Sequence, residues 1–308
     1  MYEARKTIVQ PKNPTRKIKR GKILWKSYIY FSLILLSALV IVPFFYLIVT
    51  SMKPLEEIAT PTMQIFPRKF AFIENVKVVF NTKNYNYLRA FGNTMFVFLM
   101  KTAGVIITCS VAAYGFARFK CKLNSIVFMA FIAVLFLPGE ILNIPFFEMM
   151  VTLNIRYDSA YLPMWLGAWF GIDITTIFLF KQFFESIPSE LINAAKIDGC
   201  NELQAFLRVI LPLSKPVIAT NVILYFVGTY NDIYGPTLYV RANDYPGKLV
   251  SQTVGIFEGM FNAGSRDYLV PYNYVSVVTL VSILPTLVFF ASAQNAFVES
   301  FVGSGLKG

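Results

Sequence analysis

Between residues 28 and 297 the chain returns again and again to apolar runs long enough to cross a lipid bilayer, which excludes most folds before any motif is considered. Crossing about 30 Å of hydrocarbon takes roughly 20 helical residues. Backbone hydrogen bonds must be satisfied within each crossing segment, which favours helices over open strands. The runs are continuous rather than alternating, so they do not fit the strands of a membrane β-barrel. Composition agrees: 56% of the 308 residues are hydrophobic and only 15% are charged. A water-soluble globule of this size carries more charge and less apolar surface. The expectation is an all-α, polytopic membrane protein with six transmembrane helices, near 28–50, 91–116, 124–150, 161–184, 217–239 and 274–297. Pro138, Pro145 and Pro163 fall in the third and fourth spans, where they kink or end helices.

Charge placement gives an orientation, because Lys and Arg beside short loops stay on the cytoplasmic side during insertion. The first 27 residues hold Arg5, Lys6, Lys12, Arg16, Lys17, Lys19, Arg20, Lys22 and Lys26 against Glu3 alone. After the second span come Arg118, Lys120 and Lys122, again with no acid. With six spans both basic segments fall on one side, which makes the N- and C-termini cytoplasmic. The loop 52–90 is an exception, with Lys53, Arg68, Lys69, Lys77, Lys83 and Arg89 partly offset by Glu56, Glu57 and Glu74. The run after the basic start is too long for the core of a cleaved signal peptide and has no small-x-small cleavage site. The net charge of +11 is concentrated beside the first span, where insertion bias and anionic lipid explain it, and nucleic acid is not an expected partner.

Several chemistries are excluded. The chain has no histidine, which removes Ser-His-Asp and Cys-His catalysis and the commonest zinc ligand. Cys109, Cys121 and Cys200 form no CxxC pair and read as free thiols. No G-x-x-x-x-G-K-[ST] loop is present, so ATP has no phosphate cradle of that kind here. The expectation is a non-enzyme with no metal and no cofactor of its own.

One polar stretch stands out between apolar runs: SELINAAKIDGCNELQAFLRVILPLSKP, residues 189–216. Ser189 or Glu190 is placed to cap a helix through Leu191, Ala194, Ala195 and Ile197. Leu191, Ala194, Ala195 and Asp198 recur at helical spacing, giving a small apolar face with an acid at its end. Gly199 supplies a turn, a second helix covers 202–210, and Leu211-Pro212 ends it. Taken alone, this is equally an amphipathic helix lying on lipid or a protein-docking element.

The spacing of Ala194, Ala195, Asp198, Gly199, Phe206, Leu211 and Pro212 resembles the EAA loop of binding-protein-dependent ABC importer permeases, in the form of the maltose-type carbohydrate branch. The resemblance runs from about residue 93 to the C-terminus. It includes Ser110-Val-Ala-Ala-Tyr-Gly-Phe-Ala-Arg118, Leu137-Pro-Gly-Glu140, Ile144-Pro145, Tyr230-Asn-Asp232 with Pro236, and Leu306-Lys307-Gly308. Asn193 stands where the motif has glutamate and Val209 where it has isoleucine. The resemblance implies the type I ABC importer permease fold and a subunit forming half of a translocation pathway for a sugar or oligosaccharide. It also implies a second homologous permease (a heterodimer), a dimer of ABC ATPases that binds the ATP, and an extracellular solute-binding protein. The setting is a bacterial cytoplasmic membrane. Glu190, Asn193, Ala194, Ala195, Asp198, Gly199, Phe206, Leu211 and Pro212 would then couple to the ATPase. The chain divides into a basic segment 1–27, a first span with extracellular loop 28–90, a permease core 91–297 with coupling loop 185–216, and a cytoplasmic tail 298–308, of which 303–308 either reaches the ATPase or is a frayed end. A permease of the same class for another polar solute, or a secondary transporter, are the alternative readings.

Within the apolar runs, Lys101, Glu140 and Asp173 are costly to bury and should face protein or water. Glu140 and Asp173 lie near span ends and read as interhelical ion pairs or interfacial groups. Lys101 lies deeper. With Asn221, Tyr225, Tyr230, Asn231 and Asp232 it forms the expected solute path, since such groups hydrogen-bond hydroxyls and stack on sugar faces. The small residues from Ala103 to Ala117 read as helix-packing surface.

Overall fold

The computed structural model describes residues 15–60, 64–82, 85–119, 122–155, 161–241, 244–262 and 270–305. Side chains are not described for 15–21, Leu24, Glu140, Tyr245, 260–262 or 293–305. The expected roles of Arg5, Lys6, Lys12, Lys120, Cys121 and the Leu306-Lys307-Gly308 tail, and of the Glu140 side chain, lie outside these residues.

Every regular element among the described residues is helical. In chain order they are α1 (Thr15–Ser51), α2 (Leu55–Ala59), α3 (Phe72–Phe80), α4 (Tyr87–Arg118), α5 (Lys122–Val134), α6 (Gly139–Thr152), α7 (Leu162–Leu166), α8 (Ile174–Ser186) and α9 (Ser189–Ile197). They continue as α10 (Glu202–Ala205), α11 (Leu211–Leu213), α12 (Lys215–Asn231), α13 (Tyr234–Tyr239), α14 (Thr253–Asn262) and α15 (Tyr272–Gly305).

Four helical stretches are long and apolar enough to cross a membrane: Trp25–Ser51, Tyr87–Arg118, Leu162–Ser186 and Tyr272–Ser292. Glu202–Leu213 and Lys215–Asn231, bent by 70° at their junction, make a fifth when taken together. Among the described residues the expected six spans are thus met by four single stretches and one bent pair. The third is two shorter helices, α5 and α6, separated at 135–138. Pro138 sits at the N-cap of α6, where its missing N–H costs no helical bond and its ring stops α5 from continuing. The fourth is also broken: α7 passes into a 3-10 turn, Gly167–Phe170, and Gly171 follows with φ +63°. That left-handed backbone favours glycine and resets the direction of the chain before α8. The fifth stops at Asn231, short of residue 239, because Asp232 is extended and α13 starts afresh.

α4 is the central helix. It packs along α8 and α12, while α1 lies at the edge against α15. Of the small residues expected to pack, Gly104, Ser110, Ala113 and Ala117 are buried and Ala103 is exposed. The two larger apolar cores lie toward opposite ends of α4. One gathers Tyr114, Ile177, Phe180, Phe184, Ile192, Phe206 and Ile210 around the 185–216 loop. The other gathers Val79, Tyr85, Phe98, Phe226, Phe257 and Val278. Tyr225 touches both. At the second end Asn75 is buried and ties three elements together. Its Nδ2 donates to the carbonyls of Ser51 (2.8 Å) and Lys53 (2.9 Å), and its Oδ1 accepts from Asn273 (3.1 Å).

Candidate functional site

α9 is short, with Pro188 rather than Ser189 or Glu190 at its N-cap and no side-chain cap bond. Proline ahead of the first turn blocks continuation from α8 and presets the entry angle, so the expected hydroxyl or carboxylate cap is replaced. Glu190 in the first turn and Lys196 in the last complement the helix dipole. At the C-terminus the amide of Gly199 donates to the carbonyl of Lys196 (3.0 Å) and that of Cys200 to Ala195 (2.9 Å), a Schellman closure. Gly199 has φ +88°, the left-handed conformation such a closure needs.

The expected face Leu191, Ala194, Ala195 and Asp198 is divided by the structure. Ala195 turns inward with Ile192, and both join the core under the loop. Glu190, Leu191, Asn193, Ala194, Ile197, Asp198 and Gly199 are exposed, Ile197 at 86%. The outward apolar surface is thus Leu191, Ala194 and Ile197, at three-residue spacing. Ile197 is the member missed from the sequence, although its place one turn beyond Ala194 signalled it.

The second half of the loop begins with a capping box. Asn201 accepts from the Gln204 amide (2.8 Å) while the Gln204 side chain accepts from the Asn201 amide (3.0 Å). After α10 the chain widens into a π turn, Phe206–Ile210, in which the Leu211 amide reaches back to the Phe206 carbonyl. Leu211-Pro212 was expected to end this helix, but it continues to Leu213. The π turn opens the backbone just ahead of the proline, where a regular helix would set the ring against the carbonyl four residues back. The chain then bends at buried Ser214, whose hydroxyl donates to the Ile210 carbonyl (2.6 Å). Leu211 is half-buried against the same core and Pro212 is exposed.

Phe206 fastens the loop to the helices. Its ring lies 5.1 Å from Tyr114 of α4 and 6.3 Å from Phe184 of α8, centroid to centroid. Burying a phenylalanine from water contributes about 1.5–3 kcal/mol. Polar links reinforce it: the Tyr114 hydroxyl donates to Glu202 (3.0 Å), and Glu202 pairs with Lys196 at 2.5 Å. Asn193 lines a cavity of about 170 Å³ with Arg118, Lys196 and Glu202.

The residues expected along a solute path separate into two groups. Lys101, Asn221 and Tyr225 line one cavity of about 260 Å³, together with Asp173, Thr175, Thr176, Leu179, Leu224, Gly228 and Thr229. Tyr230, Asn231 and Asp232 do not. Tyr230 is a core residue, stacked on Phe226 (5.4 Å) and donating its hydroxyl to the Ser282 carbonyl (2.8 Å). Asn231 is exposed and donates to the Val227 carbonyl (2.9 Å). Asp232 accepts from the Gly235 amide (3.0 Å) at the entry to α13. A tyrosine in an apolar run does not announce whether a carbonyl of another helix will meet its hydroxyl.

Asp173 makes no ion pair among the described residues. It caps α8 instead, one oxygen accepting from the Thr176 amide (2.9 Å) and the other from the Tyr225 hydroxyl. Its position just before Ile-Thr-Thr and an apolar run was the legible sign of a cap. Thr176 was missed. Its hydroxyl donates to Asn221 Oδ1 (3.2 Å), and Asn221 Nδ2 donates to the Val217 carbonyl (2.8 Å), joining α8 to α12.

Comparison with known proteins places this geometry in context. A family model described as "Binding-protein-dependent transport system inner membrane component" matches residues 104–302. The chain is similar to Protein LplC of Bacillus subtilis (strain 168), 31% identical over 279 residues that cover 88% of this chain and 90% of LplC. It is similar also to the arabinooligosaccharides transport system permease protein AraQ of the same organism, 26% identical over 89% of this chain and 93% of AraQ. In fold it resembles a chain from the crystal structure of a bacterial ABC transporter involved in the import of the acidic polysaccharide alginate. The TM-score is 0.75 and the identity 19%, covering 90% of this chain and 98% of that one.

Proposed function

Because this chain belongs to the family of binding-protein-dependent transport system inner membrane components, we propose that it forms half of the pore of an ATP-driven importer for a sugar or oligosaccharide. It is a multi-pass membrane permease subunit and not an enzyme. The pore is completed by a second, homologous permease and driven by two ATPase subunits, which bind the ATP. An extracellular binding protein delivers the solute. The saccharide reading is supported by relatives such as AraQ, whose name specifies arabinooligosaccharides.

The observation that carries the coupling role is the two-sided helix α9. Its inner side, Ile192 and Ala195, is fixed in the core shared with Phe206, Tyr114 and Phe184, while Leu191, Ala194 and Ile197 face outward. An apolar face held rigidly at the end of a helix bundle matches a protein groove better than it matches lipid, being narrow and flanked by Glu190, Asn193 and Asp198. In this reading the loop faces the cytoplasm of a bacterial cell, and nucleotide-driven closure of the ATPase pair moves it, re-orienting the attached spans.

The test is uptake by the four-component importer reconstituted in liposomes with ATP inside. Solute should accumulate only when the ATPase is active. Accumulation that persists with a hydrolysis-dead ATPase would overturn the assignment.

A further inference from the structure

At the end of the molecule that carries the 185–216 loop, α5 stands away from its neighbours. It touches α4 and α8, yet none of its residues is fully buried. Phe128 bridges the three helices, its ring 5.2 Å from Phe116 of α4 and 6.4 Å from Phe178 of α8, centroid to centroid. Beside that ring an open cleft of about 570 Å³ runs between them.

The cleft has a polar end and an apolar end. On α5 its wall is Lys122, Ser125, Met129 and Ile132, at spacings of three, four and three, which is one stripe of a helix. The stripe starts on an ammonium and a hydroxyl and finishes on apolar side chains. From Lys122 to Ile132 it covers about 15 Å along the helix, half of a hydrocarbon core of about 30 Å and so the depth of one leaflet. Opposite, α8 supplies Lys181 and Glu185 near its last turn. Lys181 pairs with Glu185 at 2.7 Å and sits 4.6 Å over the Phe128 ring. Lys122 is exposed and forms no ion pair within 4 Å among the described residues. The polar end therefore sets two ammonium groups against one carboxylate, an excess of one positive charge.

We propose that this cleft binds one anionic phospholipid, phosphatidylglycerol, with its phosphodiester on Lys122 and Lys181 and one acyl chain along Met129 and Ile132 against Phe128. Charge selects the class. One phosphodiester neutralises the excess, whereas phosphatidylethanolamine brings an ammonium of its own and leaves the excess uncompensated. The apolar end selects a lipid over a free anion. Inorganic phosphate would use the cations alone and leave Met129, 70% exposed, without cover. The site goes beyond the transport assignment and depends on the membrane setting, not on the solute. A lipid held here braces α5, which has no buried residue of its own, against α8, the helix that leads into the 185–216 loop.

The experiment uses the complete importer, stripped of lipid in detergent, and native mass spectrometry. The probes are phosphatidylglycerol, phosphatidylethanolamine with the same chains, and inorganic phosphate. One phosphatidylglycerol should bind at least about tenfold more tightly than phosphatidylethanolamine, the size of one charge-assisted hydrogen bond. Lys122→Gln should bring that ratio to within about threefold, Lys122→Arg should keep it, and Glu185→Gln, which releases Lys181, should raise it at least about threefold. Met129→Glu should weaken phosphatidylglycerol itself at least about tenfold, by setting a carboxylate in the path of the chain. Lys26→Gln removes an exposed cation of α1 outside the cleft and should leave the ratio unchanged. A wild-type ratio near one overturns the site, whether the cleft stays empty or the partner permease fills it. Equal falls in Lys122→Gln and Lys26→Gln would mean diffuse attraction of anionic lipid and overturn it as well. Displacement of the bound lipid by inorganic phosphate would reassign the cations to a free anion, against the proposal. Should Lys122→Gln fail to assemble, Glu185→Gln decides: a ratio that does not rise overturns the site.

Discussion

Gly199 is the residue on which the shape of the loop turns. At φ +88° it occupies a region that a β-branched side chain enters only at a cost of about 1–3 kcal/mol, and an added Cβ would meet nothing within 4 Å. Any penalty is therefore backbone strain rather than a clash. Gly199→Val should unwind the end of α9 and release Asp198 and Ile197 from their positions, while the membrane spans, whose cores lie elsewhere, still insert. Affinity purification from membranes should recover the variant at normal yield with the ATPase much reduced; full recovery of ATPase would count against a coupling role for this turn. Asn193 lines the cavity shared with Arg118 and Lys196. The structure gives it a place beside two cations without giving it a charge.

At the scale of elements, α9 shows which features of a sequence are legible. Gly199 sets its end through chain stereochemistry, and that limit was readable; its start was not, because Pro188 rather than Ser189 or Glu190 takes the N-cap. Which alanine turned inward was not, since Ala194 and Ala195 differ only in what surrounds them after folding. The same helix supplies a paired test: Ile197→Asp should abolish association with the ATPase and leave the permease's thermal midpoint in detergent unchanged. Ile192→Asp should lower that midpoint, because an unpaired carboxylate is driven into the core. Equal effects of the two on stability would contradict the two-sided arrangement. The broken third span was less legible. An apolar run has the same composition whether it forms one helix or two, and Pro138 was compatible with either a kink or a stop until α6 was seen to begin on it. Pro212 was misread for the opposite reason, since a π turn ahead of it absorbed the defect. Charge cost singled out Lys101, which shares a cavity with Asn221 and Tyr225, whereas Tyr230 and Asn231 had nothing in the sequence to separate a core or surface role from a binding one.

At the scale of the whole molecule, the two larger apolar cores both draw on α4 and α12 and share Tyr225. Such an arrangement lets one end shift while the other keeps its packing. Phe184 and Phe257 are each fully buried, one in each core. Their truncations to alanine should each destabilise by about 3–5 kcal/mol and combine additively to within about 0.5 kcal/mol, as distant sites do. Thermal unfolding of the two single variants and the double variant in one detergent measures this. A marked departure from additivity would mean that the cores act as one body. The 70° bend at Ser214 joins the two arms of the fifth span, the first of which belongs to the 185–216 loop. A push delivered along the first arm of that elbow arrives at the second almost wholly as a sideways swing, so in the proposed coupling role a piston stroke at the loop would become the opening of a hinged door.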